Sequence, residues 1–342
     1  MRHVRLALVA LLSIVATSAV RADDVADFYR GKTVTIYIGY EPGGAYDLYA
    51  RAIGRHLSKH IPGAPLVIPS NMPGASTMVL GNFLARIAPR DGTAIGAVNS
   101  ALIFDPLFNG ANSRAQFKGP DMPTLANAVS AAAVLFSWKT SPVKTFSDLK
   151  TSQLVIGAMT KTGDTYVIPA AVKKILGLDG LRIVTGYPGT REVVMAIERG
   201  EVQGRVWDME GIRAVRPQWL EDGSINLLAQ LAPQRMPEVP AHVPLAKDFV
   251  ADEDDRRALD VIFLPTLLAR PYIAPPGIPA ERLAALRKAF MATFADPEFI
   301  AEMQRAQAGI APMSGEDMER HIRAAYAQPE AVIKRIRDIL AE

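Results

Sequence analysis

Cysteine is absent from the 342 residues. That excludes disulfides, thiolate metal ligands and a cysteine nucleophile, together with the lipidated cysteine that anchors many exported bacterial proteins. After the first residues no apolar run is long enough for a membrane helix. The common enzymatic signatures are missing too. There is no G-x-G-x-x-G after the first strand, no G-x-x-x-x-G-K-[ST], no G-x-S-x-G elbow and no H-E-x-x-H. A strong charge of one sign is also lacking. Of the 38 Lys and Arg, Arg2, Arg5 and Arg21 fall in the first 22 residues, which hold no acid, so the remainder carries 35 basic against 35 acidic groups. Such a balance provides no field for nucleic acid or a membrane surface.

What is present starts with an address. Arg2 and Arg5 precede the apolar stretch Leu6–Ala16, and Val20-Arg21-Ala22 supplies small residues at the −3 and −1 positions of a cleavage site. Residues 1–22 are expected to be a secretory signal peptide, leaving an exported protein free in a periplasm. About 320 residues remain, which suit two domains.

The chain is organised around Val34–Lys59. Val34–Ile38 reads as a buried strand, Gly39–Gly44 as a glycine loop, and Leu48, Ala52, Ile53 and Leu57 recur on one helix face. Asp47 falls in the first turn, where a carboxylate suits the positive end of the helix dipole. Strand, loop and helix start together make an anion-binding corner, because unpaired N–H groups converge there; the alternative is a corner that only turns the chain. Leu66–Pro69 and Ala94–Val98 read as further strands, with a helix from Met78 between them. Strand–loop–helix units return over Leu154–Leu176 and Leu181–Arg199. Val129–Trp138, Val202–Val206, Ile225–Leu231 and Tyr272–Ala274 also read as strands. Helices are expected over Ala280–Phe294, Pro297–Ala306 and Glu316–Ala341, capped at Asp296 and Ser314. Leu107–Pro123 reads as loop. The alternation means α/β architecture, with largely parallel sheets in two similar lobes.

In such sheets ligands sit beyond the carboxyl ends of the strands. Five loops leave those ends: Gly39–Tyr46, Asn71–Thr77, Met159–Thr165, Gly186–Arg191 and the Trp207-Asp208 exit. They offer backbone amides, Asn71, Ser76, Thr160, Thr162, Thr165, Thr190 and the rings of Tyr46 and Tyr187, an inventory able to hold a carboxylate by neutral donors. Each residue has a plainer role open to it. Asp47 and Asp208 can cap turns, Tyr46, Tyr187 and Trp207 can pack, and Arg191 can pair with Glu192 or Glu198. His56 and His60 stand four apart on one helix without an evident third ligand, so they read as surface histidines and no metal or cofactor is expected.

Assembled, these stretches resemble the periplasmic receptors of tripartite tricarboxylate transporters, the Bug-type receptors. Pro42-Gly43-Gly44-x-x-Asp47-x-x-Ala50-Arg51, Asn71-Met72-Pro73-Gly74-Ala75, Ala88-Pro89-x-Asp91-Gly92-Thr93, Tyr187-x-Gly189-Thr190 and Gly200-x-Val202 carry the likeness. The resemblance implies a two-lobed Venus-flytrap fold that binds a small organic acid without catalysis and docks on a large and a small integral membrane subunit. Lobe 1 is expected over residues 23–123 and 226–342 and lobe 2 over 124–225, and a monomer is expected, with the oligomeric state left open by the sequence. The resemblance assigns ligand contacts to Gly43, Gly44, Asp47, Asn71, Gly74, Ala75 and Ser76 in the first lobe. In the second it assigns Thr160, Thr165, Tyr187, Gly189, Thr190 and Asp208. The residues leave other roles open: a binding protein of another importer class, a sensor subunit, or an exported enzyme using Asp47, Asp208 or Tyr187.

Overall fold

The computed structural model describes residues 24–341 except Ala132, Thr160 and Thr162. The expected signal peptide and Thr160 thus lie outside the described residues.

Strand β1 (Thr33–Ile38) buries Val34, Ile36 and Ile38 completely. It pairs in parallel with β2 (Leu66–Asn71) on one side and β3 (Ala94–Ala97) on the other. Helix α1 (Ala45–Leu57) covers this unit through Ala52, Ile53 and Leu57. Leu48 shares their spacing but is 38 % exposed, because it faces the cleft described below. Three short strands run antiparallel and complete a six-stranded sheet in the order β11-β4-β10-β3-β1-β2: β4 (Thr124–Asn127), β10 (Pro271–Ile273) and β11 (Met313–Ser314).

A second sheet has five strands in the order β7-β6-β8-β5-β9. It comprises β5 (Ala133–Trp138), β6 (Leu154–Gly157), β7 (Leu181–Val184), β8 (Gly204–Asp208) and β9 (Ile225–Leu231). Here β6 is parallel to β7 and β8, while β5 runs antiparallel to β8 and β9. Both sheets are mixed, with the parallel pairs gathered around β1 and β6. β4 belongs to the six-stranded sheet and β9 to the five-stranded one, each a few residues across the lobe limits expected from the sequence.

The remaining helices are α2 (Met78–Arg86), α3 (Ser100–Asn109), α4 (Asp164–Leu176), α5 (Thr190–Glu198), α6 (Met209–Val215), α7 (Gln218–Glu221), α8 (Glu253–Leu267), α9 (Ala280–Phe294), α10 (Pro297–Arg305), α11 (Gly315–Tyr326) and α12 (Glu330–Leu340). Asp296 and Ser314 cap α10 and α11 as expected, accepting from the amides of Glu298 and Asp317. The single C-terminal helix expected from periodicity is two, divided at Pro329, whose ring cannot continue a preceding helix. α3 begins before the stretch read as loop and runs through Pro106, close to its end, up to Gly110 at φ +52.

The chain passes between the sheets at residues 128–131 and 266–270, and these segments lie side by side. Ala269 N donates to Val129 O at 3.0 Å, and Ala128 N donates to Arg270 O at 3.0 Å. Buried Asn127 ties them laterally: its amide donates to Val129 O and Leu267 O, and its oxygen accepts from Arg270 N at 2.9 Å. The two segments form a hinge tied by backbone and amide hydrogen bonds, and Arg270 is part of it. A continuous apolar core joins the sheets through α8, where Phe263 and Leu264 pack in one cluster with Val98 and Ile273 of the first lobe and Leu135 and Val206 of the second.

Candidate functional site

Between the lobes, above the hinge, lies a cavity of about 620 Å³. Its walls come from α1 (Tyr46, Leu48, Tyr49), the hinge (Val129, Ala131, Arg270), the start of α4 (Asp164, Thr165), Thr190, and the β8–α6 junction (Trp207, Asp208, Glu210). A larger hollow of about 1150 Å³ sits between β9 and the 235–244 segment. It is walled by second-lobe strands and the segment that follows them, so closure of two lobes would not enclose it. The interlobe cavity is therefore the candidate.

Of the residues singled out in the sequence, Tyr46, Thr165, Thr190 and Asp208 line this cavity. Gly43, Gly44, Asp47, Asn71, Gly74, Ala75, Ser76, Tyr187 and Gly189 are not among its walls. Asp47 and Asn71 are occupied by each other. The Asp47 carboxylate accepts from Gly43 N at 3.0 Å, from Arg51 Nε at 2.9 Å and from Asn71 Nδ2 at 2.9 Å. Arg51 Nη2 donates in turn to Asn71 Oδ1 at 2.7 Å. The hydrogen bond from Arg51, with those from Gly43 and Asn71, holds the Asp47 carboxyl down at about 2, against its burial. The anion at the glycine corner is thus the protein's own. Gly43 stands at φ +89, which explains the glycine there without a ligand. Gly74–Thr77 all have positive φ, and Thr77 Oγ1 accepts from Asn99 N. Tyr187 packs against the second-lobe core.

The sequence reading missed the cavity's cation, Arg270. Its guanidinium lies 4.5 Å from the Tyr46 ring centre and 5.6 Å from that of Tyr49. Tyr46 is itself stacked on Tyr40 at 4.5 Å, and Asn99 Nδ2 donates to the Tyr40 oxygen at 2.8 Å. Tyr49 donates to Gly309 O at 2.7 Å. Burial pushes the hydroxyls of Tyr46 and Tyr49 well above their ordinary value, so both rings are neutral and π-rich faces for the cation. Arg270 Nη1 donates to Ala269 O at 2.6 Å. Its Nε is buried with no hydrogen-bond partner, and no carboxylate stands within ion-pair distance among the described residues. An isolated arginine between the apolar stretches Leu267–Ala269 and Pro271–Ala274 is the signal that could have found it.

Across the cleft, Asp208 caps α6 by accepting from Gly211 N at 2.6 Å. Glu210 reaches the other lobe and accepts from the Gly309 amide. Its pKa is raised by burial and then by the neighbouring Asp208. Asp164, at the start of α4, lines the cleft with an exposed side chain, and desolvation raises its pKa. Behind Thr190 the fully buried Arg205 stacks on Trp207 at 4.6 Å and donates to Thr190 O at 3.4 Å. Burial brings its pKa down to about 10, so it remains a cation at neutral pH.

The Asp164 shift predicts a stability effect. A carboxyl whose folded pKa is raised costs stability once it ionises and costs nothing when protonated in both states. Asp164→Asn is expected to raise Tm by about 1–3 °C at pH 7, a small effect because solvent screens the site. The gain should vanish as pH falls below the unfolded carboxyl value of about 4. Thermal melts from pH 3 to 8 check this; a gain that persists in acid refutes the electrostatic origin.

His56 and His60 meet α10, with Nε2 atoms 2.8 Å from Glu302 and 3.0 Å from Asp296. His56, Asp296 and Glu298 approach metal-binding geometry, but Lys59 Nζ already lies 2.6 Å from both acids, so the cluster is neutralised from within.

Two α/β lobes, a paired hinge and a walled cleft between them define a two-lobed solute-binding protein. The family model described as tripartite tricarboxylate transporter family receptor matches residues 49–337, and the chain belongs to that family. Among solved structures, a TctC solute-binding protein from Polaromonas, without ligand, is 17 % identical with a TM-score of 0.67, over 90 % of this chain and 99 % of that one. MatC from Rhodopseudomonas palustris with bound malate is 18 % identical, with a TM-score of 0.57 over 90 % and 99 % of the two chains. An R. palustris protein with adipate is 19 % identical, with a TM-score of 0.58 over 91 % and 97 %. At these identities the likeness shows the fold. No match is found among curated proteins.

Proposed function

We propose that this chain is a periplasmic receptor whose lobes close on a small carboxylate and present it to the membrane subunits of a tripartite transporter. The observation that carries the reading is Arg270, a guanidinium held on two tyrosine faces at the hinge, on the wall of the cleft and without a carboxylate partner among the described residues. A planar guanidinium fork recognises a carboxylate better than a point charge does. The receptor family and the malate and adipate seen in two structural neighbours support the same ligand chemistry. Thr165 and Thr190 supply hydroxyls from the second lobe, so one ligand would touch both lobes and stabilise the closed arrangement only through contacts absent when it is open. Export rests on the leader-like residues 1–22, and docking on the membrane subunits rests on the family. The protein acts by binding, with no bond made or broken.

Calorimetry of the purified mature chain with carboxylates and amino carboxylates, against neutral sugars and simple amines, tests this. Micromolar binding, equivalent to about −8 kcal/mol, is expected for at least one carboxylate-bearing solute. Heat only with sugars or amines would overturn it.

A further inference from the structure

The cleft is poorer in positive charge than a site for di- or tricarboxylates would be. Its walls hold one cation, Arg270, and three carboxylates, Asp164, Asp208 and Glu210. None of the three forms an ion pair among the described residues; Asp208 accepts from an amide of its own helix and Glu210 from the amide of Gly309. Two further cations stand nearby but outside the wall: Arg205, fully buried behind Thr190, and Arg213, on the helix that carries Glu210. A solute with one carboxylate can settle on Arg270. A second carboxylate on that solute would find no second cation on the wall among the described residues, only neutral groups such as Thr165 and Thr190 and the three acids.

The acids are also placed, not scattered. Glu210 and Asp208 lie two residues apart at the β8–α6 junction of the second lobe, opposite Arg270 on the hinge. Glu210 crosses to the first lobe at Gly309, where an added Cβ would stand 1.5 Å from its Oε1; only glycine permits that approach. Gly309 also accepts from Tyr49, the lower of the two rings that carry Arg270. The cation and the acid pair therefore meet through one short path of packed groups, with apolar Leu48, Ile168 and Trp207 lining the space around them.

We propose that the solute is an amino carboxylate: its carboxylate rests on Arg270, and its ammonium group is taken by Glu210 with Asp208. This rests on the reading of the cleft as the receptor site. A zwitterion satisfies both walls and joins the lobes through its two ends, so closure would follow from occupancy at both. The alternative for Glu210 is to take a proton and donate to a second carboxylate, which would make dicarboxylate binding strengthen in acid.

The test uses the full mature chain and solutes of matched length: 5-aminopentanoate, glutarate and pentanoate, with malate, adipate and the common α-amino acids alongside. Calorimetry at pH 7.5 should give at least about tenfold tighter binding for an amino carboxylate than for its matched dicarboxylate. Glu210→Gln should remove most of that preference while its Tm stays at or above that of the parent, which shows that the fold is intact. If any dicarboxylate binds more tightly than every amino carboxylate, or if Glu210→Gln folds and leaves the preference unchanged, the proposal is overturned while the carboxylate reading stands. Silence with every carboxylate-bearing solute overturns the carboxylate reading itself.

Discussion

Arg270→Met is expected to weaken binding of the carboxylate about 100-fold or more without unfolding the receptor. The size follows from the chemistry of the contact. Charge-assisted hydrogen bonds contribute roughly 1.5–3 kcal/mol each, and every 1.4 kcal/mol is about tenfold in affinity. A forked pair lost in a walled cleft thus removes at least two decades. Stability should barely move, for two opposing reasons. Loss of the cation from Tyr46 and Tyr49 costs about 0.5–1 kcal/mol, while deletion of the buried, unpartnered Nε relieves a penalty of similar size. Methionine keeps the apolar stem that packs on the rings. Arg270→Lys preserves charge but not the fork, and an intermediate loss of about tenfold is expected. Calorimetry and thermal melts on the two variants decide the matter. Parent-like affinity in the methionine variant would remove Arg270 from the site.

Much of the scaffold was legible because it is local. The β1–loop–α1 unit, the caps at Asp296 and Ser314, and the limits of α9 each depend on residues within a few positions of one another. The departures also have local causes. Asn109-Gly110 made the end of α3 look like loop, and helical periodicity continued across Pro329 although the helix did not. The cleft was less legible, because its polar groups come from distant places in the chain, among them residues 46–49, 164–165, 190, 208–210 and 270. Glu210 is one acid in a short helix until Gly309, about a hundred residues later, is seen to donate to it. Arg270 was not singled out in the sequence, because the tyrosines of α1 that hold it lie more than two hundred residues earlier. Glycine loops announce that an amide is free; they do not reveal whether a ligand or the protein's own carboxylate will take it.

That distinction can be measured at Asp47, where replacement by alanine is expected to destabilise the receptor by about 2–3 kcal/mol. The carboxylate is 5 % exposed and answers three donors, from Gly43, Arg51 and Asn71. Removal leaves the Gly43 N–H and the Asn71 side-chain amide without this acceptor, and an arginine without its counter-ion. Because the Arg51 side chain is 38 % exposed, water can compensate it in part, which holds the loss below that of a fully buried pair. At about 2–4 °C per kcal/mol for a chain somewhat larger than a single small domain, Tm should fall by roughly 5–10 °C at pH 7. The pH dependence has a definite sign. The folded carboxyl is held at about 2, below its unfolded value, so its contribution is complete above about pH 4 and is lost as pH falls through 2. The melting gap between parent and variant should therefore close in that window. Ligand affinity separates the two roles open to this residue. If Asp47 orders the corner that carries Tyr40 and Tyr46, the variant loses stability first and binds a few-fold more weakly once folded. If the variant instead melts like the parent and fails to bind, Asp47 faces the solute, and the corner is part of the site after all.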